Sequence, residues 1–231
     1  MFYRFVKRAF DLSVSLLAMV ITSPLWLLIA IGIKLSSKGP VFYCADRIGK
    51  NQKKFVLYKF RSMHVYQPTV VANGEQREGG YIANANRIFK FGGFLRKSKM
   101  DELPQLINIF LGQMSIVGPR PISEAGVQKH YVGKYDNVLT VRPGLACLDS
   151  LFDYAHGELF VSDNDEFDQK IAPMRDCLAS MYVENQSVSI DLHCIFRTVR
   201  LIFEIVILKK KKFPYTKYEE EANKRVFKVH I

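Results

Sequence analysis

Two adjacent carboxylates are the residues of this chain best suited to chemistry on a phosphate. Asp101 and Glu102 lie just before Pro104, and the cations Arg96 and Lys99 precede them. Pro104 fits only the first turn of a helix, where backbone N–H groups have no helical partner. We therefore expect the acidic pair at a helix N-terminus. The helix dipole stabilises negative charge there, which makes this end a natural anion site.

The two carboxylates can have separate roles because neighbouring residues near a helix start point about 100° apart. One carboxylate can attack a phosphorus atom and form an acyl phosphate. The other can help to hold Mg²⁺, which prefers one or two carboxylates together with substrate phosphates. Asp101 and Glu102 are accordingly candidates for both catalysis and metal binding. The alternative interpretation is that they only complement the helix dipole, as acidic residues in first turns often do.

Further cations have the pattern of a phosphate-binding surface. Arg120 stands between two prolines, and proline stiffens a loop by fixing φ, so the guanidinium is presented with little conformational loss. Its planar fork matches phosphate oxygens bidentately. Lys59 and Arg61 alternate along a predicted strand and would share one face. A solvated surface turn and an ordinary exposed strand face are the alternatives.

Composition restricts the class of protein and of partner. The chain has 231 residues, of which 48% are hydrophobic, so it can form a real core. The formal net charge of +11 suits anionic partners such as nucleic acid, acidic lipid headgroups or phosphorylated substrates. The four cysteines form no metal-binding spacing and are interpreted as thiols in a reducing compartment, facing the cytoplasm.

One segment is apolar enough to enter a membrane. The run from Leu12 to Leu35 contains no charge before Lys34, and roughly 20 apolar residues suffice to span a bilayer. Ser23-Pro24 lies near its middle, where proline removes a backbone hydrogen bond and kinks or breaks a helix. Basic residues flank both ends, so both ends favour the cytoplasm. We therefore expect a re-entrant helix–break–helix; a straight single span and a cleaved signal peptide are the alternatives.

The remaining pattern predicts a mixed α+β domain. Val41–Tyr43 and Phe55–Phe60 are predicted strands of a small hairpin with a turn at Gly49. Leucines and isoleucines from 103 to 111 have helical spacing, and Gly112 ends that helix. Residues 72–80 are predicted as a loop, and 162–168 as an acidic patch at a helix start. Leu201–Leu208, followed by four lysines, suits an interfacial helix on an anionic membrane or a packed core helix with a basic end.

In the order of these motifs the chain resembles the bacterial sugar transferases, or monotopic phosphoglycosyl transferases, from about Lys7 to about Thr198. The matching pieces are Lys7-Arg8 with Asp11, Ser23-Pro24, Gly39–Tyr43, Arg47–Lys50, Lys59–Met63, Gly93–Lys97, Asp101–Gln105, Met114–Pro121, Arg142–Gly144 and Asp191-Leu192. The chain departs from the family pattern after Gly144, where it reads Leu145 to Ser150 in place of a threonine-glycine pair and a Trp-Ala-Gln-Val-like run. The departure bears on which sugar or nucleotide is accepted.

The resemblance implies an enzyme that moves a sugar 1-phosphate from a UDP-sugar to a polyprenyl phosphate, usually undecaprenyl phosphate. In that family the residue matching Asp101 attacks the β-phosphate and releases UMP, and the residue matching Glu102 helps to bind Mg²⁺. Arg120 would lie near the donor's phosphates or nucleotide. The predicted phosphate- and nucleotide-binding residues are Lys59, Arg61, Arg96 and Arg120. The two anionic substrates would use one site in turn, because a single carboxylate holds the sugar phosphate between the two transfers.

The predicted architecture is a monotopic membrane protein with three parts. Residues 1–37 form the re-entrant membrane helix, 38–200 a mainly helical cytoplasmic catalytic domain, and 201–231 an interfacial helix with a charged tail. The expected location is the cytoplasmic face of the bacterial inner membrane, on anionic lipids; a homo-oligomer is left open. A catalytically silent membrane scaffold that recruits other glycosyltransferases is the alternative function. Nucleic acid is not an expected partner, because the chain has no recognised binding motif and carries an apolar insert.

Overall fold

The computed structural model describes residues 2–65, 87–157 and 167–227. The helices are α1 (Phe2–Ser36), α2 (Lys90–Lys97), α3 (Gln105–Phe110), α4 (Glu124–His130), α5 (Leu148–Phe152), α6 (Ala172–Glu184), α7 (Val188–Val206) and α8 (Lys217–Phe227). The strands are β1 (Phe42–Ile48), β2 (Lys54–Phe60), β3 (Ser115–Val117) and β4 (Gly144–Ala146). The predicted α+β, mainly helical class is confirmed. The predicted loop at 72–80 and most of the acidic patch at 162–168 lie outside the described residues.

The small hairpin is confirmed. β1 and β2 pair antiparallel, from Phe42 opposite Phe60 to Ile48 opposite Lys54. Its turn is a short helical turn at Lys50–Gln52 in which Asn51 has a left-handed backbone with φ of 55°. β3 and β4 form a second, parallel pair. Gly118 and Gly144 permit this close approach, because a Cβ on Gly118 would lie 2.3 Å from the carbonyl oxygen of Arg142.

The first helix is long and apolar, as predicted, and it continues through Pro24 as a single helix rather than as two helices separated by a break. Proline frees the carbonyl four residues earlier, which is that of Val20. The Ser23 hydroxyl donates to this carbonyl at 2.8 Å, and the Thr22 hydroxyl donates to Ala18 at 2.7 Å. These local bonds provide partners for the backbone carbonyls, so the helix continues through Pro24 without a break.

One face of α1 packs against the rest of the protein over most of its length. Near the start, Tyr3 donates to Asp191 of α7 at 2.8 Å. Near the end, Ile29 and Ile33 are buried in a cluster with Phe60, Phe89 and Leu95. The opposite face exposes large apolar side chains, and they include Leu16, Leu17, Val20, Ile21, Leu27, Leu28, Ile31 and Leu35. An exposed apolar surface of this extent marks a contact with a membrane or a partner.

The C-terminal helices form the main core. Leu178 and Tyr182 of α6 pack with Leu201 and Ile205 of α7 and with α5 and α8. The expected domain boundary between residues 200 and 201 therefore lies inside α7, because Leu201 and Ile205 belong to this core. The outer face of α7 is also apolar, so the helix is a core helix on one side and an exposed apolar surface on the other. That surface comprises Phe196, Val199, Phe203, Ile207 and Leu208.

Two adjacent glycines of α2 offer a direct test of this packing. A Cβ on Gly92 would lie 2.0 Å from the carbonyl oxygen of Ser62, whereas a Cβ on Gly93 meets only Ile88, at 3.8 Å. We expect Gly92→Ala to destabilise the protein by about 1–3 kcal/mol, since backbone must move. Gly93→Ala is the matched control and should be neutral or stabilising by up to about 1 kcal/mol. Thermal unfolding in detergent measures both; equal behaviour of the two variants would contradict the packing of α2 on the end of β2.

Candidate active site

The acidic pair lies in a tight turn between two helices. Met100–Glu102 form a single 3₁₀ turn after α2, and Pro104 immediately precedes α3. The prediction that the pair stands at a helix start is therefore confirmed, with a 3₁₀ turn added before the α-helix. Lys99 enters this turn with a left-handed φ of 57°. A non-glycine residue in that region costs about 1–3 kcal/mol, and such strain persists where the surroundings fix the backbone.

The apolar residues that flank the two carboxylates connect their turn to α1. Met100 and Leu103, which flank the two carboxylates, pack against the cluster that contains Ile29 and Ile33 of α1. Leu103 also packs on the cluster that joins α3 to the hairpin. The position of the carboxylates is thus set by the buried face of α1.

Three cations surround the Glu102 carboxylate. Lys59, near the end of β2, lies 2.9 Å from Glu102 Oε1, and both Lys99 and Arg120 lie 4.0 Å from the same oxygen. Glu102 has only 9% of its surface exposed, so these charges interact with little screening by solvent. The structure thus brings together the predicted residues Lys59, Glu102 and Arg120.

An open cleft of about 620 Å³ lies against Glu102 and Arg120. Its walls include Lys99, Tyr154 and Thr198. A smaller cleft of about 370 Å³ shares Glu102, Arg120, Leu145 and Ser150 with it and extends to Arg47 and Lys59. The Lys99 ammonium lies 4.6 Å from the centre of the Tyr154 ring, which fixes both side chains at the cleft wall. Lys99 and Arg120 thus stand with Glu102 in a lining that is otherwise largely apolar.

Asp101 is less accessible than its neighbour. It has 5% of its surface exposed, and its backbone lies directly beside the cleft wall that Glu102 forms. Asp101 is not among the residues that line the two clefts, which reach this turn through Glu102.

A buried group of charges behind Arg120 was missed by sequence reasoning. The backbone N–H of Arg120 donates to Asp149 Oδ2 at 2.8 Å, and its Nε lies 3.9 Å from Asp153 Oδ2. Asp149 and Asp153 are four residues apart and share one face of α5 and its extension. Burial raises the pKa of Asp149, and the Arg120 N–H opposes that rise. Arg175, on α6, interacts with Asp153 from behind.

This group lies in the segment where the chain departs from the family pattern. Asp149 and Ser150 belong to Leu145–Ser150, and Leu145 and Ser150 line both clefts. The i, i+4 spacing of two aspartates was visible in the sequence. Their contact with Arg120 was not, because it depends on the pairing of β3 and β4.

Of the other two predicted phosphate-binding residues, Arg61 contacts the end of α1 and Arg96 precedes the acidic pair in the chain. Arg61 follows the end of β2, and its guanidinium donates to the Ser37 carbonyl at 2.7 Å and the Lys38 carbonyl at 2.6 Å, beyond the end of α1. The expected shared face of Lys59 and Arg61 is not formed, because the strand ends at Phe60. Arg96 is half-buried in the last turn of α2, one turn before the acidic pair.

The residues present fit a magnesium ion of the kind that substrates help to coordinate. In the described parts of the chain, no group of three or more His, Cys, Asp or Glu side chains is arranged to hold a metal. Mg²⁺ in phosphoryl-transfer sites, however, uses one or two carboxylates, with phosphates and water completing the shell. Glu102 lines both clefts and Asp101 precedes it in the same turn, so the two carboxylates can supply that smaller set of hard oxygen donors.

The sequence pattern of the bacterial sugar transferases matches residues 2–205 of this chain. The chain belongs to the bacterial sugar transferase family. It is 37% identical over 201 residues to an exopolysaccharide production protein of Rhizobium leguminosarum bv. phaseoli, covering 84% of this chain and 93% of that protein.

Two longer relatives have more specific names. A UDP-N-acetylgalactosamine-undecaprenyl-phosphate N-acetylgalactosaminephosphotransferase of Aeromonas hydrophila is 34% identical over 208 residues, covering 87% of this chain and 44% of its own length. An undecaprenyl-phosphate galactose phosphotransferase of Salmonella typhimurium is 33% identical over 209 residues, covering 86% and 40%. The chain thus spans less than half the length of these two relatives.

Two substitutions at Asp149 test its role in holding Arg120. Asp149→Ala removes the acceptor of a buried N–H, which costs about 1–3 kcal/mol of stability, and we expect transferase activity to be at least about tenfold lower. Asp149→Asn keeps an oxygen acceptor and should keep most of the activity. Since burial raises the pKa of Asp149, the folded state holds this proton more tightly than the unfolded state. The wild type should therefore lose stability relative to Asp149→Asn as pH rises from the ordinary carboxyl pKa through the raised one.

Thermal unfolding at several pH values and a steady-state assay of transferase activity measure these effects. If Ala and Asn at position 149 reduced activity equally, the hydrogen bond to Arg120 would not be what positions the loop.

Proposed function

We propose that this protein transfers a sugar 1-phosphate from a UDP-sugar to undecaprenyl phosphate, releasing UMP, through a covalent phosphosugar on Asp101. The observation that carries the proposal is the placement of two carboxylates beside three cations, in a turn whose flanking residues Met100 and Leu103 pack against a cluster that includes Ile29 and Ile33 of the long apolar helix. The named relatives support the acceptor and the group transferred: one is a phosphotransferase for N-acetylgalactosamine and one for galactose, both with undecaprenyl phosphate.

The cations answer the electrostatic problem of the first step. A pyrophosphate and a carboxylate nucleophile repel each other, so attack needs positive charge around the phosphorus. Lys59, Lys99 and Arg120 lie within 4.0 Å of Glu102 Oε1 and border the clefts. Donor phosphates that enter there would replace Glu102 as the partner of these three cations. Alternatively, the phosphates and Glu102 would share the cations. The stiff Pro119–Pro121 loop, held from behind by Asp149, keeps Arg120 in place.

The reaction balances in two displacements. A carboxylate oxygen of Asp101 bonds to the β-phosphorus, the bond from that phosphorus to the bridging oxygen breaks, and UMP leaves with that oxygen. An oxygen of undecaprenyl phosphate then attacks the same phosphorus, and the bond to Asp101 breaks. The carboxylate is regenerated and a lipid-linked sugar diphosphate is formed. Bound Mg²⁺ would supply charge neutralisation on the phosphates, held by Asp101 and Glu102.

The membrane arrangement follows from where α1 is attached. Its start contacts Asp191 and its end packs on Phe60 and Phe89, so both ends lie on the same folded body. A helix attached in this way enters the bilayer by its exposed face rather than carrying one end across. We infer a monotopic insertion from the cytoplasmic face of the inner membrane, with both ends of α1 on that side. The phosphate of the polyprenyl acceptor would then reach the acidic pair at the membrane surface.

The nucleophile assignment predicts a sharp loss of activity. Asp101→Asn should reduce UMP release from a UDP-sugar by about 10³-fold or more, because an amide does not form the acyl phosphate. The matched control is Asp46→Asn, the same chemical change at an exposed position on β1. Both proteins should insert into membranes equally. Activity of Asp101→Asn near that of the control would remove Asp101 from this role, and no UMP release by the wild type would favour the silent scaffold.

The topology predicts labelling from one side only. Cys44 is the exposed cysteine among the four, so Cys44→Ser gives a background in which the remaining thiols are buried. Phe2→Cys and Ser36→Cys then place a thiol at each end of α1, and Lys134→Cys marks the body. All three should react with an impermeant maleimide in inverted inner-membrane vesicles and stay unlabelled in intact spheroplasts. Labelling of position 2 or 36 in spheroplasts would establish a transmembrane span instead.

A further inference from the structure

A second basic pocket lies at the beginning of α1, away from the acidic pair. It has a volume of about 610 Å³ and is lined by five cations, Arg4, Lys7, Arg8, Lys50 and Arg142. We call this feature the basic pocket. The cations come from α1, the hairpin turn and the residues just before β4. They are distant in sequence and come together only in the folded protein.

Specific contacts hold these cations in place. Lys7 is bridged to Asp191 at 2.6 Å. Arg8 donates to the carbonyls of Ile109 and Phe110 at 2.7 and 2.9 Å, and Arg142 Nε donates to Gly112 at 2.8 Å. These bonds anchor three side chains without neutralising the two guanidiniums, because carbonyls carry no net charge. The pocket is therefore rigid and strongly positive before any ligand arrives.

One carboxylate, that of Asp11, also lines the basic pocket, and it accepts hydrogen bonds from β3. Asp11 is 2% exposed, and its Oδ1 accepts from the Ser115 hydroxyl at 3.0 Å and from the Ile116 N–H at 2.9 Å. Asp11 is thus bonded to β3, and it also interacts electrostatically with Lys7 and Arg8. The balance of the lining remains positive, which suits an anion.

The surroundings of the basic pocket are apolar and exposed. Phe2 and Phe5, on the same turns of α1 as Arg4, are 81% and 73% exposed. On the neighbouring helix α7, Leu192 and Phe196 follow Asp191 and are also exposed. A ligand with an anionic head and apolar chains would match both parts: the head among the cations, and the chains along the aromatic side chains.

This ligand differs from the two substrates. The acceptor's phosphate must reach Asp101, yet Asp101, Glu102 and Arg120 do not line the basic pocket. Ser115 and Val117 of β3 line the pocket, while Leu145 of the paired strand β4 lines the catalytic clefts. The two sites thus lie on either side of the small parallel sheet, and one phosphate does not serve both.

We propose that the basic pocket binds the headgroup of an acidic phospholipid and so fixes the depth and orientation of α1 at the membrane surface. The proposal rests on the membrane location proposed above, but not on the reaction. A phosphodiester headgroup accepts hydrogen bonds from Arg8 and Arg142 and pairs with Arg4 and Lys50.

Native mass spectrometry of the full chain in detergent, after addition of phosphatidylglycerol or phosphatidylcholine, tests this directly. The test variant is Arg4→Gln/Lys50→Gln, which removes two cations whose side chains have no anchoring bond assigned above. The control is Lys134→Gln/Lys224→Gln, which removes the same charge from exposed positions outside the pocket. We expect one phosphatidylglycerol per wild-type chain, retained in the control and bound about tenfold more weakly in the test variant. Phosphatidylcholine should bind weakly to all three proteins.

Three results would overturn the proposal. Equal weakening in test variant and control would indicate a non-specific charge effect. Equal retention of both lipids would show that an acidic headgroup is not selected. Full displacement by millimolar inorganic phosphate would identify a site for a free anion rather than a lipid. UMP release measured on the same samples keeps this outcome separate from the proposed reaction, since loss of lipid binding with turnover retained in detergent would leave the catalytic account standing.

Discussion

The packing of one 3₁₀ turn against one apolar helix is the contact on which the rest of the structure depends. Met100 and Leu103 are partly buried against the cluster that contains Ile29 and Ile33, and the two carboxylates lie between them in sequence. Full burial of a large apolar side chain contributes about 1.5–3 kcal/mol and partial burial a fraction of that, compared with about 0–1 kcal/mol for a surface ion pair. The position of the acidic pair therefore depends on α1, the helix that we propose lies in the membrane.

Electrostatics then completes the site around this fixed point. A buried glutamate is costly unless it is paired, and Lys59 at 2.9 Å provides that pairing for Glu102. The same cations that stabilise the free protein are those a pyrophosphate would need. Binding of a phosphorylated donor exchanges one anion for another among Lys59, Lys99 and Arg120, so that no cation is left buried without an anion. The charges behind Arg120, namely Asp149, Asp153 and Arg175, keep the loop rigid during this exchange.

Local signals in the sequence were sufficient for the parts of the fold that local physics controls. Pro104 and Gly112 delimited α3, and the alternation around Gly49 gave the hairpin. Ser23 compensates locally for Pro24 through its bond to the Val20 carbonyl. The continuity of α1 was not predictable from proline alone, because the outcome depends on how well local hydroxyls satisfy the freed backbone. Leu201–Leu208 was expected to be either an interfacial helix or a packed core helix, and the sequence did not decide between them because the burial of Leu201 and Ile205 depends on tertiary packing.

Site residues that are close together in the sequence could be predicted. Contacts between residues that are far apart in the sequence could not. Asp101 and Glu102 were found from their context, and Lys59 and Arg120 from their types. Arg61 was grouped with Lys59 because a strand was assumed to continue; its real partners are carbonyls that follow α1. Asp149 reaches Arg120 only because β3 and β4 pair in parallel, a contact that no local pattern encodes. The basic pocket likewise joins residues 4–8 to residue 142 through the fold.

The most direct measurement is the covalent state of the protein after incubation with a UDP-sugar and Mg²⁺ in the absence of any acceptor lipid. Peptide mass spectrometry after rapid quenching would examine the segment that begins at Met100, with fragmentation that separates Asp101 from Glu102. The account predicts one phosphosugar per chain on Asp101, formed together with UMP. A modification on any other residue, or UMP that forms only when undecaprenyl phosphate is present, would contradict it.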